Sequence, residues 1–370
     1  MIVGIPKEIK NNENRVGLTP QGVKELITNG HDVFIEKNAG INAGFSDQEY
    51  LIAGAKILST LEEIYFNSDI VIKVKEPQEV EIPLIKPNHI IYTYLHLAAD
   101  KSLTLKLLKT KATFIAYETV QLKNGSLPLL APMSEIAGKI SATLGMYFLS
   151  SPQKGKGLFL SGVTGTKRGK VVILGAGIAG QGALKVIYSL GCQVIILDKN
   201  IEKLKYINDL YHNQVETLYS NESNIQNSIQ NSDLIIGTVL IPGNKTPKLI
   251  KKDDLCLLEK GSVLVDISID QGGCFETSKP TTHENPIYSV NGITHYCVTN
   301  IPGAYPKSST IALTNATFNY LKSICNLGLK EAIKKYPELE TGVNLHNGHC
   351  TYRIISSLFD LEFFDLKSIL

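Results

Sequence analysis

Residues 171–198 read VVILGAGIAGQGALKVIYSLGCQVIILD, a run that only a strand, a glycine turn, a helix and a second strand accommodate well. Val171, Val172, Ile173 and Leu174 have the branching and length of a strand buried on both faces. Gly175, Gly177 and Gly180 follow at once, in the spacing GxGxxG. Each glycine has a separate task. Gly175 permits the turn, Gly177 lets backbone approach a pyrophosphate, and Gly180 lets the helix lie close to the sheet. The N–H groups at the helix start then face the anion. Val194 to Leu197 form the second strand, and Asp198 ends it where a carboxylate accepts hydrogen bonds from the adenosine ribose. A glycine-rich buried turn is the bland alternative, but the strand, helix and acid agree on a dinucleotide site. Asp198 favours NAD, because a 2′-phosphate would meet its negative charge. Either Lys199 or Lys203 could partner such a phosphate, but both read more simply as a solvated helix face.

The bulk properties narrow the rest. A chain of 370 residues is long for one core and comfortable for two domains. Its net charge of +2 describes a balanced surface with no call for a polyanion, so no nucleic-acid partner is expected. Six cysteines are scattered without a CxxC pair, which fits a reducing compartment and points to no disulfide frame and no metal. The start, MIVGIPKEIK, reaches a charge by Lys7 and shows no secretory leader, so a cytoplasmic setting is expected. Residues 171–197 carry only Lys185 as a charge, yet their glycines and strand-turn-helix pattern indicate a buried sheet rather than a membrane span.

The N-terminal third alternates short apolar strands with amphipathic helices: IVGIP, a helix from Pro20 to Asn29, DVFIE, a helix near Asp47 to Ala53, IVIKV, HIIYTYL, SLTLKLLKTK and TFIAYE. The middle third repeats the rhythm with VVILG, QVIIL, VETLY, DLIIGT, SVLVDIS and THYCV. Such alternation predicts an α/β fold with two doubly wound, Rossmann-like parallel-sheet domains, joined by long helices, with a cleft between them. The expected division is 1–128 with 308–370 as the substrate domain, and 129–307 as the NAD-binding domain. Helical patterns run from Met133 to Leu149 and from Thr310 to Lys335, and GVNLHNGHC predicts a hairpin turning at Asn347-Gly348. His346 and His349 beside that turn read as surface residues rather than metal ligands.

Ligands of open α/β sheets bind beyond the carboxyl ends of the strands. Four ionisable residues stand there: Arg15 after the first strand, Lys75 after IVIKV, His96 after HIIYTYL, and Asp270 after SVLVDIS. A guanidinium grips a carboxylate by two prongs, and an ammonium binds the same group or an oxygen that gains charge. Imidazole exchanges protons near neutrality. Asp270 suits orienting a water or meeting a substrate ammonium. Their bland readings are a surface cation, an exposed strand end, a ring bonded to backbone, and a turn former.

Taken together, PKEIKNNENRVGLTP, VIKVKEP, YLHLAAD, APMSEIAGK, VVILGAGIAG, GTVLIPG, DISIDQGGCFETS and HYCVTNIPGAYPKSST resemble the alanine dehydrogenase family along essentially the whole chain. The resemblance implies reversible NAD-dependent oxidative deamination of L-alanine to pyruvate and ammonia, by a homohexamer without metal. It implies that Arg15 and Lys75 hold the substrate, that His96 is the acid/base group, and that Asp270 acts with water on the imine. For the cofactor it implies Ser134, Ile178, Ala179, Asp198, Lys203, Ser220, Val239, Leu240, Ile267, Ser268, Ile269, Asp270, Lys279, Val298, Thr299, Asn300 and Ile301, beside Gly175, Gly177 and Gly180. Lys203 and Lys279 stand where the family commonly has arginine, and Ile301 where it has methionine. The rival reading is the soluble NAD-binding component of a proton-translocating transhydrogenase. That family has non-ionisable residues in place of Lys75 and His96.

Overall fold

In the computed structural model, which describes residues 1–239 and 246–370, the chain makes strands β1 (Ile2–Ile5), β2 (Asp32–Glu36), β3 (Lys56–Leu58), β4 (Ile70–Ile72), β5 (Ile90–Thr93) and β6 (Thr113–Ala116) in its first third. Strands β7 (Lys170–Leu174), β8 (Gln193–Asp198), β9 (Glu216–Tyr219), β10 (Leu234–Gly237), β11 (Val263–Asp266), β12 (Ile287–Val290) and β13 (Ile293–Tyr296) follow, and β14 (Val343–His346) and β15 (His349–Cys350) come last. Two sheets result. One has the order β15-β14-β6-β5-β4-β1-β2-β3, the other β12-β13-β11-β10-β7-β8-β9. Their parallel cores share one plan, in which the first strand lies between the second and the fourth. The fold is therefore α/β with two doubly wound sheets. Three antiparallel strands are added to the parallel expectation: β12 beside β13, and β14 and β15 beyond β6.

Two compact units contain these sheets: Met1–Met133 with Gly303–Leu370, and Ser134–Pro302. Residues 129–133 and 303–307, expected in the second part, thus belong to the first. The break at 133 falls inside the helix Ala131–Phe148.

In the second unit the period of two along the strands sorts side chains to opposite faces. Val171, Ile173, Val194, Ile196, Leu234, Ile236, Val263 and Val265 share one apolar cluster. Val172, Leu174, Ile195, Leu197, Ile235 and Leu264, their sequence neighbours, share another. Both faces are covered, and this explains why VVIL and VIIL are unbroken apolar runs. Each such buried side chain contributes about 1.5–3 kcal/mol. In the first unit Val71, Ile91, Phe114, Ala116 and Leu345 form the corresponding cluster.

Local signals set the helix ends. Thr19 accepts a hydrogen bond from the Gly22 N–H and Pro20 opens the helix Pro20–Thr28. Ser46 and Glu49, and Thr60 and Glu63, make capping boxes. The pattern expected as one helix to Lys335 is broken: Pro306–Leu327 ends at Gly328, at φ 76°, and Leu329–Lys335 begins anew. The hairpin at Asn347-Gly348 forms, with His346 opposite His349 and positive φ at both turn residues. Among the described residues no helix is long and apolar enough to cross a membrane, and no cluster of three or more histidine, cysteine or acidic residues could hold a metal. All six cysteines are free thiols.

Candidate functional site

In the first unit Arg15, Lys75 and His96 all lie beyond the carboxyl ends of parallel strands, on loops that follow β1, β4 and β5. These strands stop earlier than IVIKV and HIIYTYL suggested, because carboxylates take over the backbone donors. Lys73 still donates to the Tyr92 carbonyl at 3.1 Å and Tyr94 to that of Val74 at 3.3 Å. Beyond them, Glu8 Oε1 accepts from the Val74 N–H at 2.6 Å and the Lys75 N–H at 3.3 Å. Glu118 Oε1 likewise accepts from Leu95 at 3.2 Å and His96 at 2.6 Å.

Arg15 is not an ordinary surface cation. Its side chain is 2% exposed and grips Glu13 with two prongs, Nε to Oε1 at 2.7 Å and Nη2 to Oε2 at 2.5 Å. The Nη1 edge donates toward Met133 Sδ at 3.1 Å. Burial alone would raise the Glu13 carboxyl, but the Arg15 guanidinium, with Lys75 adding to it, holds it down at about 2. Lys75 is buried too, not an exposed strand end. Its carbonyl accepts from Thr93 Oγ1 at 2.9 Å.

His96 is in the left-handed region, at φ 48° and ψ 36°. Its ring stacks on Tyr94, with centroids 5.9 Å apart and planes 14° from parallel, and Tyr94 is itself fixed by its hydroxyl donating to the Leu129 carbonyl at 2.7 Å. The protein crowding the ring, followed by the cations Lys75, Lys10 and Arg15, pushes its pKa below the ordinary imidazole value. The residue keeps a solvent-exposed surface, and all three cations act in the same direction. His96 is thus a neutral imidazole at neutral pH, ready to accept a proton. Glu118 is raised by burial, against the hydrogen bonds that it accepts from backbone N–H groups and the charge of Lys75.

In the second unit the glycine turn is where the sequence puts it. β7 lies between β8 and β10, where the strand order reverses, the position at which open α/β sheets bind ligands. Gly175 has φ 105°. A Cβ on Gly180 would come within 1.9 Å of the Gly175 carbonyl oxygen, so close packing of helix on turn demands glycine there. Gly177 differs: its φ of −72° suits any residue, and a Cβ would meet nothing within 4 Å. The space over it is a cradle at the first turn of the helix Ile178–Ser189. Asp198 ends β8, its Oδ2 accepting from the Ala176 N–H at 2.7 Å and its Oδ1 from the Asn200 N–H at 2.8 Å. Carboxylate and glycine turn are therefore tied directly.

Of the remaining positions, those that follow β8, β9, β10, β11 and β13 lie past the carboxyl ends of this sheet's strands. Ser220 N–H donates to the Asp198 carbonyl at 3.0 Å, and Ser268 Oγ donates to the Val239 carbonyl at 2.6 Å. Ile267, Ser268, Ile269 and Asp270 lie in the turn Ile267–Gln271 that follows β11, with Asp270 exposed and Ser268 and Ile269 buried. Val298 and Ile301 are buried in the core cluster. Thr299 and Asn300, the latter at φ 58°, lie between them. Ile178, Lys203 and Lys279 are exposed, while Ala179 is buried; Ser134 is in the helix Ala131–Phe148. Leu240 lies outside the described residues.

Several residues that the sequence reading passed over prove to organise these groups. Asp266, wholly buried, accepts from Ser268 N–H at 3.0 Å, Cys274 N–H at 2.8 Å and Ser278 Oγ at 2.5 Å, pinning both ends of the loop that carries Asp270. Glu8, Glu13 and Glu118 do the same for the first unit. An acidic residue near a strand end was the only signal available. A recess of about 570 Å³ lies at the opposite edge of the second sheet, where β8 and β9 begin, lined by Arg168, Cys192, Gln193, Asn208, Gln214 and Thr217; none of the groups above belongs to it.

Comparison with known proteins agrees with this fold. The chain is 48% identical over 364 residues, 98% of each chain, to the alanine dehydrogenase of Methanococcus maripaludis. It superposes on a solved L-alanine dehydrogenase with a TM-score of 0.93 at 46% identity, covering 97% of this chain and 99% of the other. A transhydrogenase from Sinorhizobium meliloti shares the fold, at TM-score 0.81 and 22% identity over 95% of this chain and 99% of that one. The models for the N-terminal and C-terminal domains of alanine dehydrogenase/PNT match residues 4–137 and 141–353, and the chain accordingly belongs to the alanine dehydrogenase/PNT family.

Proposed function

We propose that this protein is an L-alanine dehydrogenase that converts L-alanine, water and NAD reversibly into pyruvate, ammonia and NADH. The observation that carries the reading is the convergence of Arg15, Lys75 and His96 on one sheet edge, two buried cations beside an imidazole held neutral, in a chain 46–48% identical to alanine dehydrogenases. Family membership implies a nicotinamide nucleotide, and the open cradle over Gly177 with the carboxylate of Asp198 beside it fits one. Gly175, Gly177, Ile178, Ala179 and Gly180 would hold its pyrophosphate and Asp198 its adenosine ribose; a carboxylate there favours NAD over NADP. When bound, the nicotinamide supplies the acceptor for the Cα hydrogen of the amino acid.

The chain's own residues do the rest. Arg15 and Lys75 hold the substrate carboxylate and steady charge that develops on the keto oxygen. His96, neutral at working pH, takes the proton that the amine and later the attacking water give up. Asp270 orients that water toward the iminium carbon, and the carbinolamine then expels ammonia. Orientation supplies much of the rate. The family resemblance also supports a homohexamer and a cytoplasmic setting, the first of which sedimentation velocity measures.

The transhydrogenase reading has the shared family and a structure only 22% identical behind it, and ionisable Lys75 and His96 have no use in it. Purified protein given L-alanine and NAD at alkaline pH is expected to form NADH and pyruvate in equal amounts, with serine and valine slower and NADP poor. His96→Ala is expected to lower turnover by about 10²–10⁴-fold while NADH still binds by fluorescence. Hydride exchange between nucleotides, without alanine turnover, would favour the transhydrogenase reading instead.

A further inference from the structure

Beneath Lys75 lies a charged network that the chemistry above does not use. Lys73 is wholly buried, and its Nζ bridges Glu8 Oε2 at 3.2 Å and Glu81 Oε1 at 2.9 Å. Glu81 is equally buried; its Oε1 accepts from the Tyr65 hydroxyl at 3.1 Å and its Oε2 from the Gln78 N–H at 2.7 Å. Glu8 is 7% exposed. Burying one ammonium and two carboxylates is a poor way to gain stability, since well-packed apolar residues of similar volume often do as well or better. What the network does achieve is directional. One oxygen of Glu8 is held by Lys73, and the other accepts from the N–H groups of Val74 and Lys75 at 2.6 and 3.3 Å. Thr93, itself wholly buried, fixes the Lys75 carbonyl from the far side at 2.9 Å. The backbone at Lys75 is therefore clamped on both of its hydrogen-bonding groups.

We propose that Glu8, anchored by the buried Lys73–Glu81 pair, is a positioning residue for Lys75 that fixes the backbone from which its ammonium reaches the substrate. This rests on the role given to Lys75 in the proposed function. A carboxylate is suited to the task because it only accepts: one oxygen meets the ammonium and the other meets two N–H donors. An amide of the same shape has to turn its NH2 group toward one of those donors, so one side of the clamp is lost.

The test is steady-state kinetics of pyruvate reduction with Glu8→Gln, Thr93→Val and, as the control, Lys75→Met. Glu8→Gln is expected to raise KM for pyruvate about tenfold or more, with kcat falling by a smaller factor than KM rises. NADH affinity stays near the parent value, while Tm falls because a buried ion pair loses one partner. Thr93→Val removes the second anchor with almost no change of volume, and it is expected to raise KM in the same sense; it serves alone if the Glu8 variant does not fold. Glu8→Asp, which restores an acceptor-only group, is expected to recover part of the KM. If Lys75→Met raises KM while Glu8→Gln and Thr93→Val both leave it within about twofold, the positioning role is wrong. Equal losses of Tm, NADH binding and kcat in Glu8→Gln also overturn it, because they mark a merely structural residue. If Lys75→Met itself leaves KM unchanged, the substrate role of Lys75 falls and the proposal falls with it.

Discussion

His96 occupies φ 48°, a conformation that costs a non-glycine residue about 1–3 kcal/mol. Glu118 offsets that cost by accepting the His96 and Leu95 N–H groups, so the imidazole is held where an unconstrained loop would not leave it. The cations that act on its ring, Lys75, Lys10 and Arg15, all oppose protonation. Lys10 is the outermost of them, half exposed and paired with Glu76, which makes it the cation to remove. In Lys10→Met the imidazolium meets less repulsion, so the pKa of His96 rises. The acidic limb of the pH profile for kcat/KM of alanine oxidation is expected to move to higher pH, with the rate at the alkaline plateau preserved. A limb that stays in place, or moves to lower pH, contradicts the assignment of that limb to His96. Arg15, Lys75 and His96 were legible in the sequence because ionisable residues just past strand ends are visible as such. Glu8, Glu13, Glu118 and Asp266 were not, because a carboxylate that caps distant backbone N–H groups obeys no spacing rule.

Among the elements, the glycine turn gives the sharpest contrast. Gly180→Ala puts a methyl within 1.9 Å of the Gly175 carbonyl oxygen, where the built Cβ falls, and forces helix and turn apart; overpacking of this kind costs about 1–3 kcal/mol, read as a lower Tm together with weaker NADH binding. Gly177→Ala meets open space at an ordinary φ, so Tm is expected to hold while NADH affinity falls by at least about tenfold, or 1.4 kcal/mol. Fluorescence titration and thermal melts of the two variants separate packing from ligand approach; a Gly177→Ala protein that binds NADH normally contradicts a pyrophosphate over that residue. Long apolar strands and the Asn347-Gly348 hairpin could be read from the chain. β12 carried the same signal, Asn291-Gly292, with φ values of 53° and 82°, and was overlooked because its strand, Ile287–Val290, is only partly buried. β3 has three residues and no face of its own to advertise. The break at Gly328 was hidden because apolar periodicity resumes directly after it.

At the level of the whole molecule, two sheets share one plan, the first with two cations and an imidazole at its carboxyl edge, the second with a glycine turn and the Asp198 carboxylate at its own. Fold class was legible because both sheets announce themselves by strand and helix alternation. The unit boundaries at 133 and 302 were harder, since one falls within a continuous helix and the other beside a short turn, where composition does not change. The central claim is that the Cα hydrogen of alanine leaves as a hydride to a nicotinamide. It is tested most directly by incubating the protein with NAD and L-alanine deuterated at Cα and locating the label by NMR. Deuterium is expected at C4 of the reduced nicotinamide, one per pyruvate formed; deuterium released to water, or NADH formed without it, would contradict the account.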